Sequence, residues 1–407
     1  MLKMLSLCNL EDFPMLQKKI HGKPLVYFDS AATSLKPYSV IEAITQFYEE
    51  SYGTVHRAVY TLSLESTALY AGVRRQVQQF LNAAHEEEII FTKGTTEAIN
   101  LVAASFGKAF LKPGDDVIIS EMEHHSNIVP WQLICEEKGA HLKVIPITDR
   151  GEIDLAAYRK LLSVRTKMVA VTHVSNALGT INPIKEMIAQ AHEWGAKVFI
   201  DGAQSAPHMT VDVQDLDADF FAFSGHKAFG PTGVGVLYGK KELLEVMPPY
   251  QGGGDMIAHV SFEKTTYQPL PLKFEAGTPQ ISAVIGLGRA LKYIESLARE
   301  NIKRYEEELL VYATKQLEMI PHLKIIGTAQ NKGPIISFII PGIHHLDLGV
   351  LLDLQGIAVR TGHHCAQPLM QRFNVSGMVR LSFAPYNTIQ EIDYFIEKLK
   401  EIISTIK

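Results

Sequence analysis

Residues 88–239 alternate short apolar runs with amphipathic stretches; the first runs are EIIFT (88–92) and DVIIS (116–120), and the last are DFFAFSG (219–225) and GVGVLYG (233–239). Parallel strands need crossover helices and are buried on both faces, so they read as continuous apolar runs separated by helical patterns. The stretch therefore predicts an α/β fold, with a mostly parallel sheet of the seven-stranded type flanked by helices.

The sequence after Gly288 has a different pattern. A long helical pattern over 289–320 is followed by short strand-like runs and helices that are typical of an α+β unit. The charged residues of its segment 299–318 are most simply explained as the solvent-exposed face of a helix. We predict a large domain over 21–293 and a small α+β domain that combines 1–20 with 294–407.

Composition and charge exclude several classes of protein. The chain has 407 residues, 46% of them hydrophobic and 20% charged, as in ordinary globular proteins. A net charge of -5 without a basic stripe argues against a nucleic-acid partner. Lys3, Asn9, Glu11 and Asp12 interrupt the apolar amino terminus, which argues against a signal peptide or a membrane span. With three widely spaced cysteines, we expect a cytoplasmic protein.

Lys227 is the strongest single candidate for a catalytic group. It lies in FSGHKAFGPTGVGVLYG (223–239), after an apolar run and before several glycines. A partly desolvated lysine has a lowered pKa, and its neutral amine can form an imine with an aldehyde. A lone lysine is usually a surface residue. The adjacent Ser224 and His226 suit a phosphate-bearing cofactor, and they favour a Schiff-base lysine here.

Two segments upstream fit the same cofactor. Asp201 ends KVFID (197–201), and a carboxylate beside a pyridine nitrogen would keep that nitrogen protonated. Taken alone, such an aspartate is as often a helix cap or turn former. Thr95 and Thr96 stand between a strand and a helix start, where amides and hydroxyls can bind a phosphate dianion or simply cap the helix.

Histidine and cysteine residues supply the remaining reactive groups. His124 in EMEHHSNIVPW (121–131) can stack on an aromatic cofactor and move protons. Cys365 in RTGHHCAQP (360–368) is a candidate nucleophile, activated by His363 or His364. The alternatives are an inert cysteine and a metal site, although a second ligand cluster is not identifiable.

Arg360 and Arg380 are candidates for binding an amino-acid carboxylate. A guanidinium offers two parallel donors to a carboxylate, which lysine cannot match. Either arginine could instead form a surface ion pair. We predict Arg380 as the carboxylate ligand, with Arg360 as the second choice.

Taken together, the motifs closely resemble those of the SUF-type (group II) cysteine desulfurases, which are class V aminotransferase-like, fold-type I enzymes dependent on pyridoxal 5′-phosphate. The resemblance covers nearly the whole chain. Its further motifs are YFDSAATS (27–34), YGTVHRA (52–58), FTKGTTEAIN (91–100), THVSNALGTINPI (172–184), DGAQSAPH (201–208), GGGDMI (252–257) and FEAGTPQ (274–280).

The resemblance implies a role for each site residue. Lys227 would carry the cofactor, Asp201 would pair with the pyridine nitrogen, and Arg380 would bind the substrate. The other implied contacts are Gln204 and Asn176 to the ring oxygen, Thr95, Thr96, Ser224 and His226 to the phosphate with Thr278 of the partner subunit, and Arg360, Asn176 and His56 to the substrate.

The resemblance also implies an activity and partners. L-cysteine would be converted to L-alanine, leaving a persulfide on Cys365 that passes to a SufE- or SufU-like acceptor for iron–sulfur cluster assembly. A homodimer is expected. The alternatives are a selenocysteine lyase, a different reaction on the same cofactor, such as that of an aminotransferase or a kynureninase-like lyase, and a sulfur-carrying or metal-binding protein that retains only the fold.

Overall fold

The apolar runs of the sequence form strands, and the amphipathic stretches form helices. The computed structural model describes residues 6–406. Its strands are β1 Lys19–Ile20, β2 Lys23–Pro24, β3 Val26–Tyr27, β4 Ile89–Thr92, β5 Asp116–Ser120, β6 His141–Ile145, β7 Thr166–Thr172, β8 Lys197–Asp201, β9 Phe220–Ser224, β10 Gly235–Gly239, β11 Ile257–Val260, β12 Thr265–Tyr267, β13 Lys324–Ile326, β14 Ile335–Ile339, β15 Ile357–Ala358, β16 Arg360–Gly362 and β17 Met378–Ser382. Its α-helices are α1 Tyr38–Gln46, α2 Thr61–Leu81, α3 Thr95–Phe110, α4 Val129–Lys138, α5 Leu155–Leu161, α6 Ile184–Glu193, α7 Val213–Leu216, α8 Lys241–Val246, α9 Ile281–Leu297, α10 Arg299–Glu318, α11 His345–Asp353, α12 Gln367–Arg372 and α13 Ile389–Ile406.

The central sheet has seven strands in the order β4-β10-β9-β8-β7-β5-β6. Strand β10 is antiparallel to both of its neighbours, and the other neighbouring pairs are parallel. Helices cover both faces, so successive side chains of one strand enter different cores: Ile118 packs in one apolar cluster and Ile119 in another. This two-sided burial explains the continuous apolar runs, and the predicted α/β fold is confirmed.

A second sheet of four antiparallel strands has the order β13-β14-β17-β16. Strand β3 pairs with β15 beside it, so Val26 and Phe28 pack in the apolar core of this second unit. Both residues fall within the predicted large domain, which begins at residue 21, yet they pack in the other unit. The division into 21–293 and 1–20 with 294–407 stays a prediction, and residues 1–5 and 407 lie outside the described part.

The long helical pattern over 289–320 covers the end of α9 and all of α10. Ala298 has a positive φ of 58°, and α9 ends there. Its carbonyl then accepts hydrogen bonds from the amides of Asn301 and Ile302 in the first turn of α10. Glycine or asparagine is usual at such a position, so an alanine gives no sequence signal for the break.

One charge on α10 departs from the solvated face that we expected. The side chain of Glu306 is 2% exposed, and both of its carboxylate oxygens lie 2.9 Å from Nδ1 of His208. His208 follows strand β8 in the central sheet. The pair therefore joins α10 to the turn that leaves the carboxyl end of β8.

Replacement of Glu306 by alanine is expected to lower the free energy of unfolding by about 3 kcal/mol, because removing one partner of a buried pair leaves the other unsatisfied. Urea unfolding followed by circular dichroism measures the change. Glu308→Ala is the control, since Glu308 is exposed on the same helix. Equal loss of stability in both variants would contradict the assignment.

Three further features of residues 6–406 bear on the expectations from sequence. No helix among them is both long and apolar enough to cross a membrane. Cys8, Cys135 and Cys365 are free thiols, and only Cys365 is exposed. Within the same residues, the His, Cys, Asp and Glu side chains form no group of three that is suited to a metal ion.

Candidate active site

A cavity of about 440 Å³ lies between the carboxyl ends of the central strands and the second sheet. Parallel strands end at one edge of a sheet, which gathers residues that are distant in sequence. Of the residues predicted from sequence, His56, Thr278 and His363 do not line the cavity. The others do, namely Thr95, Thr96, His124, Asn176, Asp201, Gln204, Ser224, His226, Lys227, Arg360, His364, Cys365 and Arg380.

Lys227 and Asp201 come from neighbouring strands. Lys227 lies on a single 3₁₀ turn after β9, and Asp201 is the last residue of β8. Burial lowers the pKa of the Lys227 ammonium, and the charge of Asp201 opposes this shift. Burial raises the pKa of the Asp201 carboxyl, while the amide of Ala203, which donates to Oδ1 at 3.0 Å, works against it. Perturbed pKa values of this kind in one cavity are typical of functional sites.

Hydrogen-bond donors cluster at the start of α3. The amide of Thr95 donates to Oγ of Ser224 at 2.9 Å, and the two hydroxyls are 2.8 Å apart. A side chain at Gly94 would approach Ser224 Oγ to 3.3 Å. His226 is half-buried, and burial with the nearby Lys227 charge lowers its pKa to about 4. Neutral donors at a helix amino terminus suit a phosphate.

Two side-chain amides face the cavity from different strand ends. Nε2 of Gln204 donates to the carbonyl of Ala31 at 2.7 Å, and Nδ2 of Asn176 donates to the carbonyl of His364 at the same distance. The buried Oε1 of Gln204 has no partner within residues 6–406. Both amide nitrogens thus donate to the backbone, which leaves the side-chain oxygen of Gln204 as a buried acceptor without a partner in this part of the chain.

His124 is held in one orientation. Its Nδ1 accepts a hydrogen bond from the amide of Ser126 at 3.1 Å. Burial, helped by the charge of Lys227, lowers the pKa of His124 to about 4. The ring is therefore neutral at pH 7, with its proton on Nε2.

Arg380 lines the cavity with a side chain that is otherwise buried. Its two terminal nitrogens donate to the carbonyl of Asn176 at 3.0 Å and to Oδ1 of Asp29 at 2.7 Å. The buried Nε has no partner within the described chain. Arg360 pairs in register with Arg380 across the two strands, but it is exposed and forms no ion pair among residues 6–406. Arg380 is thus the more firmly held guanidinium.

Cys365 reaches the cavity from the second sheet. It lies in the short connection between β16 and α12, and its side chain is accessible. The adjacent His364 is buried, and burial with the charges of Arg380 and Arg360 lowers its pKa to about 2. A neutral, buried His364 does not supply a cation to the thiol. His363 is exposed and is the remaining local base of the two predicted from sequence.

His56 and Thr278 lie outside the cavity. Thr278 borders a separate hollow of about 100 Å³, which Tyr70 also lines. The ring of His56 packs edge-on against Tyr70, with centroids 5.7 Å apart. Neither residue therefore lines the cavity that contains Lys227.

Comparison with known proteins decides the family. The family model described as aminotransferase class-V matches residues 26–395. The chain belongs to the aminotransferase class-V family. Its similarity to structures of this architecture confirms the predicted fold-type I class, in which the central sheet and the second unit enclose the cavity.

Several class V relatives share one name. "Cysteine desulfurase" of Synechococcus elongatus is 53% identical over 96% of this chain, which spans 62% of that relative. "Cysteine desulfurase" of Pectobacterium carotovorum is 52% identical over 96% of each chain. The crystal structure of the cysteine desulfurase CsdA from Escherichia coli has a TM-score of 0.90 at 41% identity and covers 97% of each chain. The apo cysteine desulfurase from Thermococcus onnurineus has a TM-score of 0.90 at 40% identity, covering 94% of this chain and 95% of its own.

Sequence reasoning missed two contacts within this class V site. Asp29 pairs with Arg380 although 351 positions separate them. His125 contacts the Cys365 connection through both its backbone and its ring. Both residues stood in motifs that we had noted, YFDSAATS and EMEHHSNIVPW. Their partners follow only from the packing of the second sheet on the first.

Proposed function

We propose that the protein is a pyridoxal 5′-phosphate-dependent cysteine desulfurase. The observation that carries the proposal is that Lys227, Asp201 and the exposed thiol of Cys365, which come from two different sheets, line one cavity. The overall reaction is L-cysteine plus the Cys365 thiol giving L-alanine plus a Cys365 persulfide. The name shared by the relatives favours cysteine over selenocysteine as the substrate.

The residues of the cavity fit the cofactor. Lys227, with its lowered pKa, would bind the aldehyde carbon, and Asp201 would hold the pyridine nitrogen. Hydroxyls at the start of α3 would bind the phosphate, and Oε1 of Gln204, which has no partner within residues 6–406, would contact the ring oxygen. When bound, the cofactor withdraws electrons from the substrate α-carbon and so stabilises negative charge there.

Four side chains of the protein would carry out the steps of the reaction. Arg380, which lines the cavity, binds the substrate carboxylate through its guanidinium. The neutral amine of Lys227 takes the proton from the α-carbon. The Cys365 thiolate attacks the substrate sulfur, so a sulfur–sulfur bond forms as the carbon–sulfur bond breaks. His124, with its proton on Nε2, is placed to donate it to the product.

Within the cysteine desulfurases, we propose the SUF-type (group II) class, working in the cytoplasm and supplying iron–sulfur cluster assembly. Support comes from the compact Cys365 connection: β16 ends at Gly362, and α12 begins at Gln367. A persulfide on so short a connection cannot travel far and must meet its acceptor at the cavity mouth. Stimulation of alanine formation by a SufE- or SufU-like protein tests this, and no response to either would exclude it.

We further propose a homodimer with shared active sites. Support comes from exposed apolar side chains on and beside α2, including Tyr48, Tyr52, Leu62, Leu64 and Leu69. A hollow of about 590 Å³ between α2 and α9 adjoins them. Surfaces of this kind are typical of interfaces.

Thr278 would reach the phosphate only from the partner subunit. Inactive Lys227→Ala protein mixed with Thr278→Ala protein, after subunit exchange, is therefore expected to give more activity than the sum of the two separate variants, because one site of each mixed dimer is intact. Alanine formation at limiting cofactor measures this. An activity equal to that sum would place Thr278 in its own subunit's site or outside any site.

The proposed function is tested by incubating purified protein with L-cysteine and a reductant. Equal amounts of alanine and sulfide are expected. Pyruvate and ammonia in place of alanine would indicate a different reaction on the same cofactor.

A further inference from the structure

The connection that carries Cys365 has a backbone conformation that must be imposed on it. We call residues 363–366 the Cys365 loop. His364 and Cys365 both lie in the left-handed region, with φ values of 54° and 55°. Each such conformation costs about 1 kcal/mol or more for a residue other than glycine. Contacts from outside the loop therefore have to hold its shape.

Three hydrogen bonds from the central-sheet side reach this loop and its edge. The amide of His125 donates to the carbonyl of Cys365 at 2.7 Å. The amide of Gln367, directly after the loop, donates to Nε2 of His125 at 3.0 Å. Nδ2 of Asn176 donates to the carbonyl of His364 at 2.7 Å. His125 thus takes part in two of the three hydrogen bonds, one at the carbonyl of Cys365 and one at the amide of Gln367.

The ring contact depends on the identity of the side chain. Gln367 is the first residue of α12, and the first amides of a helix have no acceptor within the helix. An imidazole accepts through Nε2 only when it is neutral with its proton on Nδ1. Burial and the nearby charge of His363 lower the pKa of His125, which keeps the ring neutral at pH 7.

We propose that His125 is a positioning residue, which clamps the Cys365 loop so that the thiol faces the bound substrate. The proposal rests on the proposed function, because it needs Cys365 to be the sulfur-accepting thiol. The ring of His125 does not line the cavity, so it acts through the loop and not on the reacting atoms. Misplacement of a nucleophile by about 1 Å can cost on the order of 100-fold in rate.

A matched pair of variants tests the clamp in the cofactor-loaded enzyme. The side-chain oxygen of glutamine can occupy the position of Nε2, whereas that of asparagine is one carbon too short to reach Gln367. His125→Asn is expected to lower kcat for alanine formation at least about tenfold, with KM for L-cysteine within about twofold of wild type. His125→Gln is expected to recover most of the loss. Hydrogen–deuterium exchange of peptides covering 363–369 should be faster in His125→Asn alone.

Other outcomes overturn the proposal. Wild-type kcat and exchange in both variants would show that the ring contact does nothing. Equal impairment of both, or loss of folding in both, would show that His125 is needed for another, structural reason. Exchange needs no turnover, so it judges the clamp separately from the reaction. A wild-type enzyme that forms no alanine would refute the proposed function, whereas unaltered exchange in His125→Asn would refute the clamp.

Discussion

Replacement of Lys227 by alanine is expected to reduce alanine formation from L-cysteine by about 1000-fold or more. Two functions are lost together: the amine that holds the aldehyde cofactor and the base that takes the α-proton. No second lysine lines the cavity, so none can replace it from the surroundings described. The loss should therefore appear in kcat even when the cofactor is supplied in excess.

The measurement is steady-state alanine formation together with the absorbance of the bound cofactor. Lys160→Ala is the control, since Lys160 is exposed on the surface near the end of α5. Added methylamine should restore part of the rate to Lys227→Ala, because a small amine can enter the vacated space and act as a base. Retention of more than about one-tenth of wild-type activity without an added amine would exclude Lys227 as the catalytic base.

Replacement of Cys365 by alanine is expected to lower alanine formation by about 100-fold or more, because no other thiol can attack the substrate sulfur. Cys8 and Cys135 are buried, and burial raises the pKa of Cys8 to about 12 and that of Cys135 to about 11. Neither is a thiolate near neutral pH. The cofactor absorbance should stay at the wild-type level, because Cys365 holds none of the cofactor.

Cys135→Ala is the matched control for this variant and should keep the wild-type rate. The variants are compared by alanine yield and by sulfide release with a reductant. Unchanged activity in Cys365→Ala would remove the thiol from the mechanism and favour an aminotransferase-type or lyase reaction at the same site.

Much of the site could be predicted from the sequence because it is built from strand ends. Asp201 and Ser224 end neighbouring parallel strands, and Lys227 follows the second of them at once. Strands of this kind read as apolar runs, and their carboxyl ends meet at one edge. Polar residues directly after such runs are therefore brought together, regardless of how the connecting helices pack.

Other features depend on contacts that leave no local pattern. The pairing of Asp29 with Arg380 joins an early segment of the chain to the second sheet, and the buried Glu306 pairs with His208. The same reason hid the contact of His125 with the Cys365 loop. A periodic pattern indicates which face of a helix is apolar, but not which charged group finds a partner in a distant part of the chain.

The positions of His56 and Thr278 show a further limit. Neither lines the cavity of its own chain: His56 packs against Tyr70, and Thr278 borders a separate hollow. The resemblance implied that Thr278 acts in the partner's site, and that prediction stays open to the mixed-dimer experiment. A sequence motif identifies a residue, but which subunit's active site that residue enters depends on how two chains pack together.

The central claim is that the sulfur of L-cysteine moves to Cys365 as alanine is formed. The most direct test is a single turnover with enzyme in excess over L-cysteine and without reductant, followed by mass spectrometry of the intact protein and its peptides. We predict one additional sulfur atom on the peptide that contains Cys365 for each alanine formed. Alanine without added sulfur on that peptide, or sulfur on the peptides of Cys8 or Cys135 instead, would contradict the account.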